Sequence, residues 1–142
     1  MFFGEYSHTM DAKGRVSLPA KHRSEFESGV QLVRGLDKSL WIFTPEQYKK
    51  FLNSLDGSNP METRARQLRL FFYSSAVEVE IDQLGRVRVP PKWREFAGLA
   101  KNVTFVGNGD HIELWDTEAF TEFMDGVDVQ GGIDSLASDG RL

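Results

Sequence analysis

Two short stretches of this chain carry an aspartate, a glycine and an arginine at the same spacing. The first is Asp11-Ala-Lys-Gly14-Arg15, and the second is Asp82-Gln-Leu-Gly85-Arg86. An Asp side chain accepts from backbone N–H groups two residues on, and glycine takes the positive φ of a tight turn. A turn needs the Asp and the Gly, but not the arginine that follows them. An arginine beside a rigid turn is a planar, bidentate donor suited to a phosphate or to guanine O6 and N7. The structural alternative is an ion pair of Arg15 with Asp11 and of Arg86 with Asp82. The two roles are compatible, because the carboxylate can aim the guanidinium. The two loops differ chemically: Lys13 stands at the first tip where Leu84 stands at the second, and Arg88 corresponds to Ser17. Candidate contacts to nucleic acid are therefore Lys13, Arg15, Arg86 and Arg88, organised by Asp11, Gly14, Asp82 and Gly85. With Lys13 at its tip, the first loop is the better candidate for the primary contact.

Other chemistry finds little support. The chain has no cysteine, so thiolate catalysis, disulfides and cysteine-based zinc sites are excluded. His8, His22 and His111 are scattered, and none has a metal-binding partner at helical spacing. His8 alternates with Tyr6 and Met10 and reads as a core histidine. Gly107-Asn-Gly109 joins two strand-like segments and opens no helix, so it reads as a hairpin and not a phosphate loop. No Gly-x-Ser-x-Gly nucleophile elbow is present, nor an Asp-Thr/Ser-Gly element. The expectation is a protein with no catalytic residue, metal or cofactor.

The motif is longer than its five residues. Asp, Gly, Arg, Val, Pro, Lys and Arg recur in step across residues 11–23 and 82–94. The net charge of -4 argues mildly against nucleic acid, but its distribution weakens that argument. Residues 11–23 hold Lys13, Arg15, Lys21 and Arg23 against Asp11, and residues 82–94 hold Arg86, Arg88, Lys92 and Arg94 against Asp82. A solvated face explains Lys21, Arg23, Lys92 and Arg94 as well as phosphate contact does. The acid is concentrated in the tail, where Asp125, Asp128, Asp134 and Asp139 face only Arg141. No apolar run reaches the roughly 18–20 residues of a membrane span, and the N-terminus lacks the blocks of a signal peptide.

The elements that must position the motifs read the same way in both copies. Tyr6, His8 and Met10 alternate with polar residues, as do Val77, Val79 and Ile81, predicting a strand before each turn. A strand follows each turn (Arg15 to Leu18 in the first copy). Pro19 and Pro91 then suit the first position of a short helix. Val30 to Arg34 with Leu40 to Phe43, and Asn102 to Val106 with Ile112 to Trp115, predict two hairpins. Thr44 caps one following helix, with Gln47 as capping-box partner, and Asp116 caps the other. Between the copies, Asn59 and Pro60 predict the start of a helix with Met61, Ala65, Leu68 and Phe72 on its buried stripe. Arg64, Arg66 and Arg69 fall off that stripe and read as a solvated face. The expected organisation is a first repeat over 5–47, connecting helices over 48–75 and a second repeat over 76–119. A Gly- and Asp-rich tail over 125–142 is expected to be disordered. Half such a unit buries little alone, and two halves closing on each other would give a barrel without exposed edges.

At Phe3-Gly-Glu-Tyr-Ser-His8, at Asp11 to Arg15 with Leu18-Pro19, and at Asp82 to Arg86 with Val89-Pro90, the sequence resembles the MraZ family. The resemblance covers roughly residues 1–124, and the doubled signature at this spacing is specific to that family. It implies a mainly β fold with peripheral helices (α+β): two AbrB-like (SpoVT-AbrB) swapped-hairpin half-barrels fused in one chain as a pseudo-dimer. It implies a cytoplasmic, nucleoid-associated transcriptional regulator that binds double-stranded DNA at G-rich direct repeats. Those repeats lie upstream of the division and cell-wall gene cluster, which includes the regulator's own gene. It also implies a ring-like homo-oligomer with the loops on one face, and no membrane partner. Nothing carries over to the acidic tail. The alternative is a non-catalytic, protein-binding AbrB-like module of the antitoxin type.

Overall fold

A computed structural model describes residues 1–56, 59 and 61–142, with the side chain of Asp56 excepted. The first copy runs β1 (Glu5–Thr9), β2 (Arg15–Ser17), a 3-10 turn (Arg23–Phe26), β3 (Val30–Arg34), β4 (Leu40–Phe43) and α1 (Pro45–Asp56). After α2 (Thr63–Ser75), the second copy runs β5 (Val77–Val79), β6 (Arg86–Arg88), α3 (Pro91–Phe96), β7 (Asn102–Gly107), β8 (Ile112–Asp116) and α4 (Thr117–Asp125). A last helix, α5, spans Val129–Ser138.

The copies are interlocked. Six strands form one antiparallel sheet in the order β1-β7-β8-β4-β3-β5. The first strand of each copy pairs with the hairpin of the other: Tyr6 lies opposite Phe105, and Val77 opposite Leu32. β4 and β8 meet at the centre, with Leu40 opposite Leu114. β2 and β6 form a separate two-stranded ribbon. This exchange is what makes the chain a fused pseudo-dimer. The barrel is less closed than the sequence suggests, because β1 and β5 are the outer strands of the sheet and do not pair with each other.

One core sits between sheet and ribbon and draws on both copies. Val16, Leu18, Leu32, Ile42, Val87, Val89, Phe105 and Leu114 are all at most 1% exposed. Each such burial is worth about 1.5–3 kcal/mol, so neither copy keeps its core without the other. A second cluster lies on the outer face of β3 and β4, where Val33, Phe43, Tyr48 and Phe72 pack with Trp41 and Phe51 under α1 and α2.

Local expectations fare unevenly. Thr44 Oγ1 accepts from Gln47 N at 3.2 Å, and Asp116 Oδ2 from Ala119 N at 3.2 Å, so both N-caps form. After Pro19 the chain makes only a 3-10 turn, whereas Pro91 does open a helix. The connecting helix starts at Thr63, not at the Asn59–Pro60 cap; Pro60 lies outside the described residues. Asn59 instead closes a turn, accepting from Met61 N and Glu62 N. Of its expected stripe, Ala65 and Phe72 are buried while Met61 and Leu68 are exposed. Met61 precedes the helix, and Leu68 turns away from the sheet. The tail expected to be disordered contains α5, whose cap Asp128 accepts from Gly131 N at 2.9 Å. The local signal was Val129, Ile133 and Leu136 at helical spacing.

Candidate nucleic-acid interface

Both turns are built by the same bonds. Asp11 Oδ1 accepts from the N–H groups of Lys13 (2.9 Å) and Arg15 (2.8 Å), while Oδ2 takes Arg15 Nε at 2.6 Å. Asp82 repeats this with Leu84 N (2.9 Å), Arg86 N (2.9 Å) and Arg86 Nε (2.8 Å). The backbone N–H of Arg15 or Arg86 is the main influence holding each carboxyl below the ordinary carboxylate range, assisted by the guanidinium. The ion pair of the structural reading is present at both turns, and it leaves each arginine accessible. Each Nε is committed to its Asp, which fixes the plane of a guanidinium that stays about one-third exposed (Arg15 35%, Arg86 29%).

The ribbon sets these groups on one face. In β2 and β6, Val16 faces Val87 into the core, while Arg15 lies opposite Arg88 and Ser17 opposite Arg86. Side chains alternate along a strand, so Arg15, Ser17, Arg86 and Arg88 share the outward side. The antiparallel register alters one expectation. Arg88 follows the second turn in the chain, but it lies against the first, with its Nε donating to Lys13 O at 3.0 Å. Lys13, Arg15 and Arg88 thus all belong to the first turn, which holds one acid, Asp11. At the other turn Arg86 faces Asp82, and Leu84 at the tip is 67% exposed. The two copies have the same geometry and unequal charge.

Two residues that read equally well as solvated or as phosphate contacts prove structural. Arg94 lies against Gly14, and Arg23 against Gly85, so each copy braces the turn of the other. Gly14 (φ +81) and Gly85 (φ +77) both occupy the left-handed region. A Cβ on Gly14 would stand 2.7 Å from Arg94 Cζ, and one on Gly85 would run into the guanidinium of Arg23. Arg23 also donates to Leu18 O at 2.9 Å. Leu18 N in turn donates to Gly85 O (3.0 Å), and Val89 N to Gly14 O (2.9 Å). Both Arg23 and Arg94 keep a buried Nε without a partner. Both arginines recur in step, which marks them as part of the repeated unit, but their recurrence does not show which glycine each one meets. Lys21 and Lys92 lie over the rings of Phe3 and Trp93.

Of the three histidines, His8 was expected in the core but is only half-buried, its ring against Phe105, because β1 is an outer strand of the sheet. His111, at the β7–β8 hairpin, sits 4.5 Å from the Trp41 ring and 5.1 Å from that of Phe43, joining the second copy to the outer cluster of the first. Its Nδ1 meets Asp110 at 2.7 Å and its Nε2 meets Glu113 at 3.1 Å. Burial opposes the imidazolium, but the two carboxylates outweigh it and raise its pKa. The folded value thus exceeds the unfolded one near 6.5. His111 then stabilises fully below that pH, and its contribution is lost as pH rises through the folded value. The difference in urea midpoint between the wild type and His111→Gln is expected to be largest near pH 6 and to shrink as pH rises, down to the pH-independent loss of ring packing on Trp41 and Phe43. A gap that widens with pH would refute this.

Among the described residues no cluster of acidic or histidine side chains is arranged to hold a metal ion, and no helix is long and apolar enough to cross a membrane. The family model described as "MraZ protein, putative antitoxin-like" matches residues 1–71 and again 72–129, one match per interlocked copy. The chain belongs to the MraZ family. It is similar to the "Transcriptional regulator MraZ" of Thermoanaerobacter sp. (strain X514), 39% identical over 129 residues, covering 91% of this chain and 90% of that protein. It is also similar to the protein of the same name from Mycoplasmoides gallisepticum, 37% identical over 123 residues and 87% of each chain. These relatives are named as regulators of transcription, not as enzymes, and the doubled family match coincides with the doubled turn.

Proposed function

We propose that this chain is a transcriptional regulator that binds double-stranded DNA through the outward face of the β2–β6 ribbon. The observation that carries the proposal is the pair of Asp-braced, rigidly aimed arginines on one face of a protein whose relatives are named transcriptional regulators. Arg15, with Lys13 and Arg88 beside it, makes the primary contact; Arg86 supports it. The guanidinium plane suits the O6 and N7 edge of guanine, in keeping with the G-rich direct repeats that the family resemblance implies. The same resemblance implies a site upstream of the division and cell-wall gene cluster, including the protein's own gene, and a cytoplasmic, nucleoid-associated protein.

One chain offers few phosphate contacts against a net charge of -4, which makes for weak, salt-sensitive binding. A ring-like homo-oligomer presenting several ribbons to repeated boxes gains avidity through effective concentration. Mobility-shift titrations with the DNA upstream of its own gene, carrying one box or several in the same salt, test this. Several boxes are expected to bind about 100-fold more tightly than one, with affinity falling steeply as salt rises. Equal affinity for one box and several would sink the multivalent reading. The absence of any shift would favour the protein-binding, antitoxin-type reading that the family description also suggests.

A further inference from the structure

The tail helix α5 is amphipathic and uncovered. Val129, Ile133 and Leu136 lie at i, i+4 and i+7 on one side, with exposures of 64%, 43% and 36%, and no residue of the helix is buried. A helix of ten residues with adjacent glycines, Gly131 and Gly132, is too short and too poor in propensity to persist alone in water. Its order therefore implies a surface that covers the apolar stripe. In the first copy the corresponding pair is α1 followed by α2, and both pack on the outer face of their hairpin. In the second copy α4 packs through Phe120 and Phe123 on Trp115, but α5 does not follow α2's example and stays off the sheet.

The complementary surface is α2. This helix holds Arg64, Arg66 and Arg69 and no acidic residue between Thr63 and Ser75. Its outward side exposes Leu70 (51%), with Arg66 one turn before it, and Leu68 (50%) is exposed on its flank. The tail is the reverse in charge, with Asp125, Asp128, Asp134 and Asp139 against Arg141 alone. The lengths also agree, at about 15 Å for α5 and about 20 Å for α2.

We propose that α5 of one chain docks on α2 of a second copy of the same chain, its apolar stripe against Leu70 and its aspartates against the arginines. The two surfaces are different, so the contact is heterologous: each chain gives its tail to one neighbour and receives the tail of another. Such a contact either closes into a ring or continues into a filament. The inference rests on the self-association in the reading above and assigns it a surface. It also explains why a sequence that reads as disordered alone contains a helix: docking supplies the burial that the isolated segment lacks.

Self-association of the full-length chain, measured by sedimentation velocity over a concentration series, tests the docking. Ile133→Asp is expected to weaken it about tenfold or more without changing the thermal unfolding of the two-copy core. Charge reversal is the sharper test. A chain with Arg64→Glu and Arg66→Glu, and another with Asp134→Lys and Asp139→Lys, should each assemble poorly alone. Mixed one to one they should reassemble, because every tail then meets a helix of opposite charge. Failure of the mixture to reassemble overturns the proposal. So does unchanged assembly of Ile133→Asp, which would leave the oligomer reading standing. A wild-type chain that is monomeric throughout the series overturns both.

Discussion

Replacing Arg15 by alanine is expected to weaken DNA binding by about 1–3 kcal/mol per box contacted, roughly 5- to 150-fold, while the protein stays folded. The loss follows from the aim of the side chain. Asp11 takes Nε, so the terminal nitrogens of a planar group point away from the turn in a fixed plane, and alanine removes both charge and geometry. The fold survives because the turn does not depend on the guanidinium. Asp11 Oδ1 still receives the backbone N–H groups of residues 13 and 15, and Val16 remains in the core. Arg15→Lys keeps the charge and loses the fork, so it should recover non-specific binding and little of the specific part. Arg86→Ala should cost less than Arg15→Ala, because fewer cations surround it and Leu84 occupies its tip. Salt titrations complete the test: if Arg15 meets phosphate, its removal should lower the slope of log affinity against log salt by about one contact. If Arg15→Ala unfolds the protein, the ion pair with Asp11 is its main role and the interface must be sought elsewhere.

The second large effect is on stability, and it should not share that asymmetry. Gly14→Ala and Gly85→Ala are each expected to lower stability by about 1–3 kcal/mol from left-handed backbone strain, with more from displacing the arginine packed on the glycine. Denaturant midpoints should fall by similar amounts for the two, although the two turns are expected to contribute unequally to the proposed DNA binding. A double-mutant cycle separates strain from packing. In an Arg94→Ala background, Gly14→Ala has no guanidinium to collide with and should cost distinctly less. If its cost is the same in both backgrounds, Arg94 does not brace the turn. The same cycle with Arg23 and Gly85 provides a replicate within one molecule.

The repeat and its chemistry were readable because they are local. An Asp, a Gly and an Arg within five residues make most of their defining bonds to one another, so residue types alone predict the turn, the positive φ and the ion pair. Caps at Thr44 and Asp116 are local in the same sense. Connecting-helix burial was less readable. Periodicity put Met61, Ala65, Leu68 and Phe72 on one stripe, but which of them are covered depends on where β3 and β4 lie beneath the helix. The 3-10 turn after Pro19 and the helix after Pro91 show the same limit, since similar local signals end in different backbones.

The sequence by itself determined that there are two copies, that each bears a rigid Asp-x-x-Gly-Arg turn, and that Lys13 makes the first more basic at its tip. Those features rest on bonds spanning at most four residues. Only the tertiary structure decided which groups share a site. Antiparallel pairing of β2 with β6 carries Arg88 from the second copy to the first turn, and it sets Arg23 and Arg94 on each other's glycines. No spacing along the chain encodes these placements. They follow from burying Val16 and Val87 in one common core, which neither copy can form alone.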